Sequence, residues 1–484
     1  MKEFIKKYYK PAIFTVLFFF MIFYMIKSTE QAAGILRELY YSRGALFFTV
    51  LIFILRKVNL KRPEVWGTLA LGLIAIVGYC YFKNIRPSTY GIDGFRVVVY
   101  RYFYIAIAVA LFIEVIVRLK RNGVSKNWNI PMLVILGAGM LLAAFFDKST
   151  LIPLVYVVFA LLFTDIDRDE WLCLVDYLAI GYFAAFACMM LLSLTVHFDN
   201  RQDGRLIGAF LNVGSAGIFC GGGFVCALYF LAKYIYNKEK KIFKLVISLV
   251  LITFSLVSLV LISSRSALFG IFITVLGMFV FMHGKKEKGV TLRRGLIAVG
   301  IGVLVIVTVI VGSIVLYNMF IKGNDEFNPA DNTHFYSYLL NRIYLVTSLK
   351  DSPDLQFDST ILNVINIFTS ARLEAYMYSI DQIRFYGHEF ESVEILGGLL
   401  TTPHNFYIYA LVAYGWIGGG CIIIWIVMYL VSSLKRFSHG DKAVLMPGLW
   451  IMYCVAMFMS TCGVWASPVF FAMLFLQYPL LRKK

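Results

Sequence analysis

The stretch Thr401–Gly420, TTPHNFYIYALVAYGWIGGG, brings an imidazole and an amide to the edge of a long apolar run. Read as a helix start, Thr402 is the N-cap and Pro403 takes the first helical position, which its fixed φ suits. His404 then lies in the opening turn, where unpaired backbone N–H groups and the helix dipole carry partial positive charge. That field disfavours a second cation, so the imidazole is expected to stay neutral and able to accept a proton. The same N–H groups can hold an anion. A plainer reading competes: His404 and Asn405 simply cap a helix where it meets water.

The composition around this stretch sets the class. Of 484 residues, 60% are hydrophobic and 15% charged, with a mean hydropathy of +0.78, which excludes a water-soluble globular enzyme. A net charge of +17 invites a nucleic-acid partner. The Lys and Arg residues, however, fall in short clusters between apolar runs, so none is expected. The eight cysteines contain no CxxC pair, and there is no HExxH motif; neither a metal, a cofactor nor a disulfide framework is expected. The run from Pro11 to Ile26 lacks a small-residue cleavage site after it and reads as a retained first span.

Apolar runs punctuated by basic clusters give an all-α, polytopic membrane protein of about fourteen transmembrane helices. The spans centre on 11–26, 39–55, 65–82, 97–117, 130–146, 151–163, 171–196, 208–235, 242–262, 267–282, 295–316, 404–433, 444–462 and 465–481. Residues 1–484 form one integral membrane domain, with 317–403 as a large, partly helical loop. Clusters such as Lys2/Lys6/Lys7/Lys10, Arg56/Lys57/Lys61/Arg62, Lys233/Lys238/Lys240/Lys241/Lys244 and Lys285/Lys286/Lys288 occupy alternate turns. By the positive-inside rule both termini are cytoplasmic and the loop is extracytoplasmic. Arg201, Arg205, Arg265 and His404 then share the outer boundary. Glu114 and Asp176 fall near the inner one as structural pairs, leaving no mid-span carboxylate of the kind an ion-coupled transporter keeps.

In the loop, SARLEAYMYSIDQIRFYGHEF (370–390) carries helical periodicity. Leu373, Tyr376, Ile380 and Ile383 make its apolar stripe, while Arg372, Asp381 and Gln382 point elsewhere. A cap of this kind lies on the membrane surface. Arginines at a boundary often snorkel to lipid headgroups, which is the ordinary reading of Arg205 or Arg265 alone. Several on the same side as a helix-start histidine point to a site, because an arginine at mid-span costs roughly 2.5 to 3.5 kcal/mol.

The segments RLIGAFLN (205–212), SSRSALFG (263–270), SARLEAY (370–376) and HNFYIYALVAYGWIGG (404–419) occur in this order. Together they resemble the O-antigen polymerase and ligase superfamily of bacterial membrane glycosyltransferases. The likeness is confined to a core at 200–433; Tyr376 stands where the family often has tryptophan. The resemblance implies a C-type glycosyltransferase-like fold, metal-independent and inverting, in the bacterial cytoplasmic (inner or plasma) membrane with its active site outside. It implies activity at the Arg265, Arg372 and His404 positions. The substrates are then undecaprenyl-pyrophosphate-linked glycans as donor and acceptor, within membrane lipid, with a chain-length regulator as a further partner.

That chemistry suits these residue types. Charge accumulates on the pyrophosphate as the sugar departs, and guanidinium forks at Arg265 and Arg372, supported by Arg205, would stabilise it. A fixed donor of this kind is worth about 3 to 4 kcal/mol. His404 is placed to take the acceptor hydroxyl's proton, with Asn405 and Asn212 in support. Polymerisation of repeat units into a capsule or O-antigen is the leading expectation. Ligase-type transfer to another acceptor and a polysaccharide flippase remain alternatives; a flippase calls for cations at mid-membrane.

Overall fold

The computed structural model describes residues 168–197, 201–202, 205–210, 213–236, 242–262, 264–283, 372–388, 390–395, 398–400, 403–437 and 442–458, with isolated positions elsewhere. Eight of the expected spans, 11–26, 39–55, 65–82, 97–117, 130–146, 151–163, 295–316 and 465–481, lie outside the continuous described segments. So do most of the loop, Asn212, Thr402, and the side chains of Arg205 and Arg265.

Seven helices make up the described part: α1 (Arg168–Thr195), α2 (Val213–Tyr236), α3 (Ile242–Ile262), α4 (Arg265–His283), α5 (Arg372–Asp381), α6 (Phe406–Arg436) and α7 (Lys442–Phe458). Four apolar segments are long enough to cross a bilayer: Val175–Thr195, Ala216–Tyr234, Ile242–Ile262 and Phe406–Arg436. The chain is thus a helical membrane protein. The expected span 242–262 coincides with α3 at both ends. The expected start at 208 does not hold, since α2 begins at Val213. Residues 201–206 instead form a short antiparallel pair, β1 (Arg201–Gln202) with β2 (Arg205–Leu206). Gly208 then turns the chain at φ +60, and Ala209 N–H donates to Ser193 Oγ at 3.0 Å. The glycine of RLIGAFLN is therefore a turn residue packed on the end of α1. A second small pair, β3 (Val393–Ile395) with β4 (Gly398–Leu400), lies between α5 and α6.

Side-chain contacts fix the helix directions. Met452 of α7 lies against Gly221 of α2 and Gly270 of α4, whereas Gly448 of α7 faces Val225 and Met278. Both α2 and α4 therefore run antiparallel to α7. Tyr182 Oη donates to Phe219 C=O at 3.0 Å, and Asp176 pairs with Lys233 at 2.7 Å, so α1 is antiparallel to α2. One end of the bundle thus gathers Thr195, the β1–β2 turn, the start of α2, Ile262, Arg265 and Phe458. The other gathers Asp176, Lys233, Arg436 and Lys442, with Lys442 Nζ donating to Leu172 C=O at 2.9 Å.

The centre is aromatic. Trp425, Tyr429 and Trp450 are essentially fully buried; the Tyr429 and Trp450 rings stack with centroids 5.5 Å apart, and Trp425 stands nearly perpendicular to Trp450 at 6.0 Å. Such pairs contribute about 0.5 to 1.5 kcal/mol each beyond their area. That matters in a bilayer, where lipid tails are as apolar as the core and packing must hold helices together.

Candidate functional site

The start of α6 differs from its expected form. Asn405 is the N-cap, with φ −143 and ψ 117, and its Oδ1 accepts from Tyr407 N–H at 2.9 Å and Ile408 N–H at 3.2 Å. Pro403 and His404 precede the helix. His404 is therefore not in the first turn. Two capping signals stand three residues apart, Thr-Pro and Asn, and Asn immediately before the apolar run prevails as the stronger acceptor.

His404 adopts φ +48, the one positive φ at a non-glycine among the described residues. Holding an L-residue there costs about 1 kcal/mol or more, and it turns an exposed imidazole out of the helix line. Loss of surrounding water, and after it the positive charge of Arg372, hold this imidazole below its ordinary pKa. The direction agrees with the sequence-based expectation; the neighbouring guanidinium, rather than a place inside the helix, supplies the charge.

Arg372 and Tyr376 sit one turn apart on α5 and so share a face. The Tyr376 hydroxyl, close enough to the Asn405 side chain to feel it, donates to Phe458 C=O at 2.7 Å. Burial raises the Tyr376 pKa, opposed by the Arg372 charge and by the nearby Asn405 amide. One hydroxyl thus joins the loop helix to a carbonyl in the last turn of α7. A parallel tie runs from Tyr407 Oη to Cys454 C=O at 3.0 Å, with the Tyr407 and Phe458 rings 4.6 Å apart. Sequence reading placed Tyr376 in an apolar stripe and missed this link; its i+4 spacing from Arg372 was the available signal.

The stripe itself is corrected. Ala375 and Ser379 are buried with Glu374, while Met377 and Ile380 are half exposed. Gln382, expected to point away, is buried and clasps the Glu391 backbone, donating to its C=O at 3.0 Å and accepting from its N–H at 2.9 Å. Its own carbonyl receives His388 Nε2 at 2.6 Å. His388 is thereby occupied in bracing this segment, and His334 lies outside the described residues.

The braced segment, 384–388, is clamped onto a break in α6. Gly415 has φ +71 and ψ 177, and the helix is interrupted there. Trp416 N–H donates to Arg384 C=O at 3.2 Å, and His388 N–H donates to Val412 C=O at 3.1 Å. Backbone meets backbone so closely that a Cβ on Gly415 would stand 2.4 Å from Phe385 O, and one on Gly387 2.0 Å from Ala413 O. The chain also bends sharply: a Cβ on Gly419 would lie 2.4 Å from Ala410 O, although nine residues of straight helix span about 13.5 Å. The single span expected over 404–433 is two helical pieces.

The structure thus brings Arg372, His404, Asn405 and Tyr376 together. Arg265 opens α4, with Ser264 C=O accepting from Leu268 N–H at 3.0 Å, at the end of the bundle that also holds Phe458. The Arg205 backbone lies at that end too, in β2. Among the described residues no three His, Cys, Asp or Glu side chains lie close enough to share a metal ion.

No family model, curated protein or solved structure matches this chain. Fold and site together define a helical membrane protein in which a polar loop helix docks over a broken helix, just ahead of which stands a histidine, at one end of the bundle.

Proposed function

We propose that the chain is a membrane glycosyltransferase that polymerises undecaprenyl-pyrophosphate-linked repeat units into a surface polysaccharide, by an inverting route. The observation that carries this reading is that His404 lies within the field of Arg372, where loss of surrounding water and then the guanidinium charge hold its imidazole below the ordinary pKa. A cation for the departing pyrophosphate and a base for the incoming hydroxyl are what such a transfer needs side by side. Arg265 and Arg205, at the same end of the bundle, are available to complete the phosphate clamp, and Asn405 supports the base through the cap. Lys233, Lys435, Arg436 and Lys442 at the opposite end favour a cytoplasmic face there, leaving His404 on the extracytoplasmic side.

The test is direct. Purified protein is incubated with a defined lipid-linked repeat; a ladder of products supports polymerisation, a single addition to a different acceptor supports ligase-type transfer, and no transfer defeats both. Orientation is checked separately: a cysteine at Asn328 should react with an impermeant reagent from outside, and one at Lys286 should not. Reversed labelling would put His404 in the cytoplasm and remove the basis for the reading.

A further inference from the structure

Below its break, α6 is sharply two-sided. At about 100° per residue, the exposed residues Trp416, Ile417, Ile424, Val427 and Val431 fall within one arc. Gly418, Ile422, Trp425 and Tyr429, all buried, fall on the opposite arc. The exposed strip is wholly apolar, as a lipid-facing surface must be. From Trp416 to Arg436 the helix rises about 30 Å, one hydrocarbon thickness, with Lys435 and Arg436 at the far rim. Trp416 therefore stands at the near rim.

Beside it lie Phe385 and Tyr386, 57% and 71% exposed, their rings perpendicular with centroids 5.0 Å apart. The backbone bond between Arg384 and Trp416 fixes them next to the lipid strip. Arg384 pairs with Glu391 at 3.2 Å, so its charge is balanced and the patch carries no feature that would select an acidic protein. Aromatic rings at this depth suit the boundary between headgroups and acyl chains.

We infer that Phe385, Tyr386 and Trp416 form an interfacial anchor that seats the 384–388 strap, and with it Arg372 and His404, at the headgroup level of the bilayer. The occupant of this surface is lipid. The inference rests on the membrane assignment and is independent of the proposed reaction. Its consequence is positional: Arg372 and His404 stay level with the headgroup phosphates of the bilayer instead of standing off in water.

The experiment uses the full chain in phosphatidylcholine nanodiscs, with a nitroxide amino acid placed singly at Phe385, Tyr386, Ile424 or Glu391. Collision with oxygen reports lipid, and collision with a water-soluble nickel chelate reports water. Oxygen accessibility at 385 and 386 should fall between that at Glu391 and that at the deeper Ile424, with chelate accessibility well below that at Glu391. Chelate accessibility equal to Glu391 would put the strap in water, and low values for both reagents would mean a protein covers it; either overturns the inference. Should the labels disturb folding, brominated lipid applied to wild type and Trp416→Phe gives a second readout. Quenching should fall in the variant, and equal quenching would count against the anchor.

Discussion

The two pieces of α6, Phe406–Tyr414 and Trp416–Arg436, have similar hydropathy and opposite duties. The first is about 13 Å long, too short to cross a bilayer; it follows directly on the cap and the strained histidine and makes the ties to Phe458 and Cys454. The second is of crossing length, with one face to lipid and one to the aromatic core. What separates them is backbone hydrogen bonding at Gly415, where the strap supplies partners to Val412 C=O and Trp416 N–H. Irregular backbone at membrane depth is tolerated where protein satisfies it. The break thus lets a site be built on the same chain segment that anchors it.

The largest expected effect falls on the first piece. His404→Asn keeps a residue that tolerates positive φ and can hydrogen-bond, yet cannot take a proton near neutral pH. Turnover with lipid-linked substrate should drop by roughly 100-fold, with expression unchanged; full activity would leave His404 a structural residue. A companion measurement uses pH. Because Arg372 and the loss of water disfavour the imidazolium, wild-type rate should fall only below the ordinary histidine range. Arg372→Gln removes one penalty on the charged form, so the pKa rises and the acid limb of the profile moves to higher pH, whatever the height of the plateau.

Next comes the joint. Gly415→Val puts a β-branched side chain at φ +71 and against Phe385 O, which should destabilise the protein by about 2 kcal/mol or more. The midpoint of SDS-induced unfolding in mixed micelles reads this. The equivalent change in the second piece, Ile424→Val on the lipid face, should leave it within about 0.5 kcal/mol. Equal effects would erase the distinction between the pieces.

These contrasts also show what the sequence made legible. Hydropathy located α1, α3 and the lower part of α6, because a bilayer demands long apolar runs. The order of short motifs pointed to Arg372, His404 and Asn405, which the fold does bring together. The break at Gly415 was hidden because WIGGG reads as small-residue packing as readily as a bend, and only the distant partner at 384–388 decides. Gln382 was misplaced for the same reason: its amide is satisfied by Glu391, nine residues on, which helical periodicity does not reveal.

A smaller effect is expected at the cap. Asn405→Ala removes the acceptor of two N–H groups and should cost about 1 kcal/mol in the same unfolding measurement. Asn405→Asp restores the acceptor. It should recover most of the stability while altering the pH profile, because a carboxylate adjoining His404 favours the imidazolium and raises its pKa.

The smallest effect tests how the strap is held. Arg384 and Glu391 form its visible ion pair, yet both side chains are more than half exposed, where such pairs contribute between nothing and about 1 kcal/mol. The buried Gln382 amide, in contrast, satisfies both backbone groups of Glu391, and each neutral bond of this kind contributes about 0.5 to 1.5 kcal/mol. Arg384→Ala should therefore shift the unfolding midpoint by less than Gln382→Ala, with a change near 0.5 kcal/mol or below, because the Arg384 carbonyl that receives Trp416 N–H is kept. If Arg384→Ala proved the more damaging, the strap would be held to the helix break by surface charge, and raising the salt concentration should then weaken the wild-type protein to the same extent.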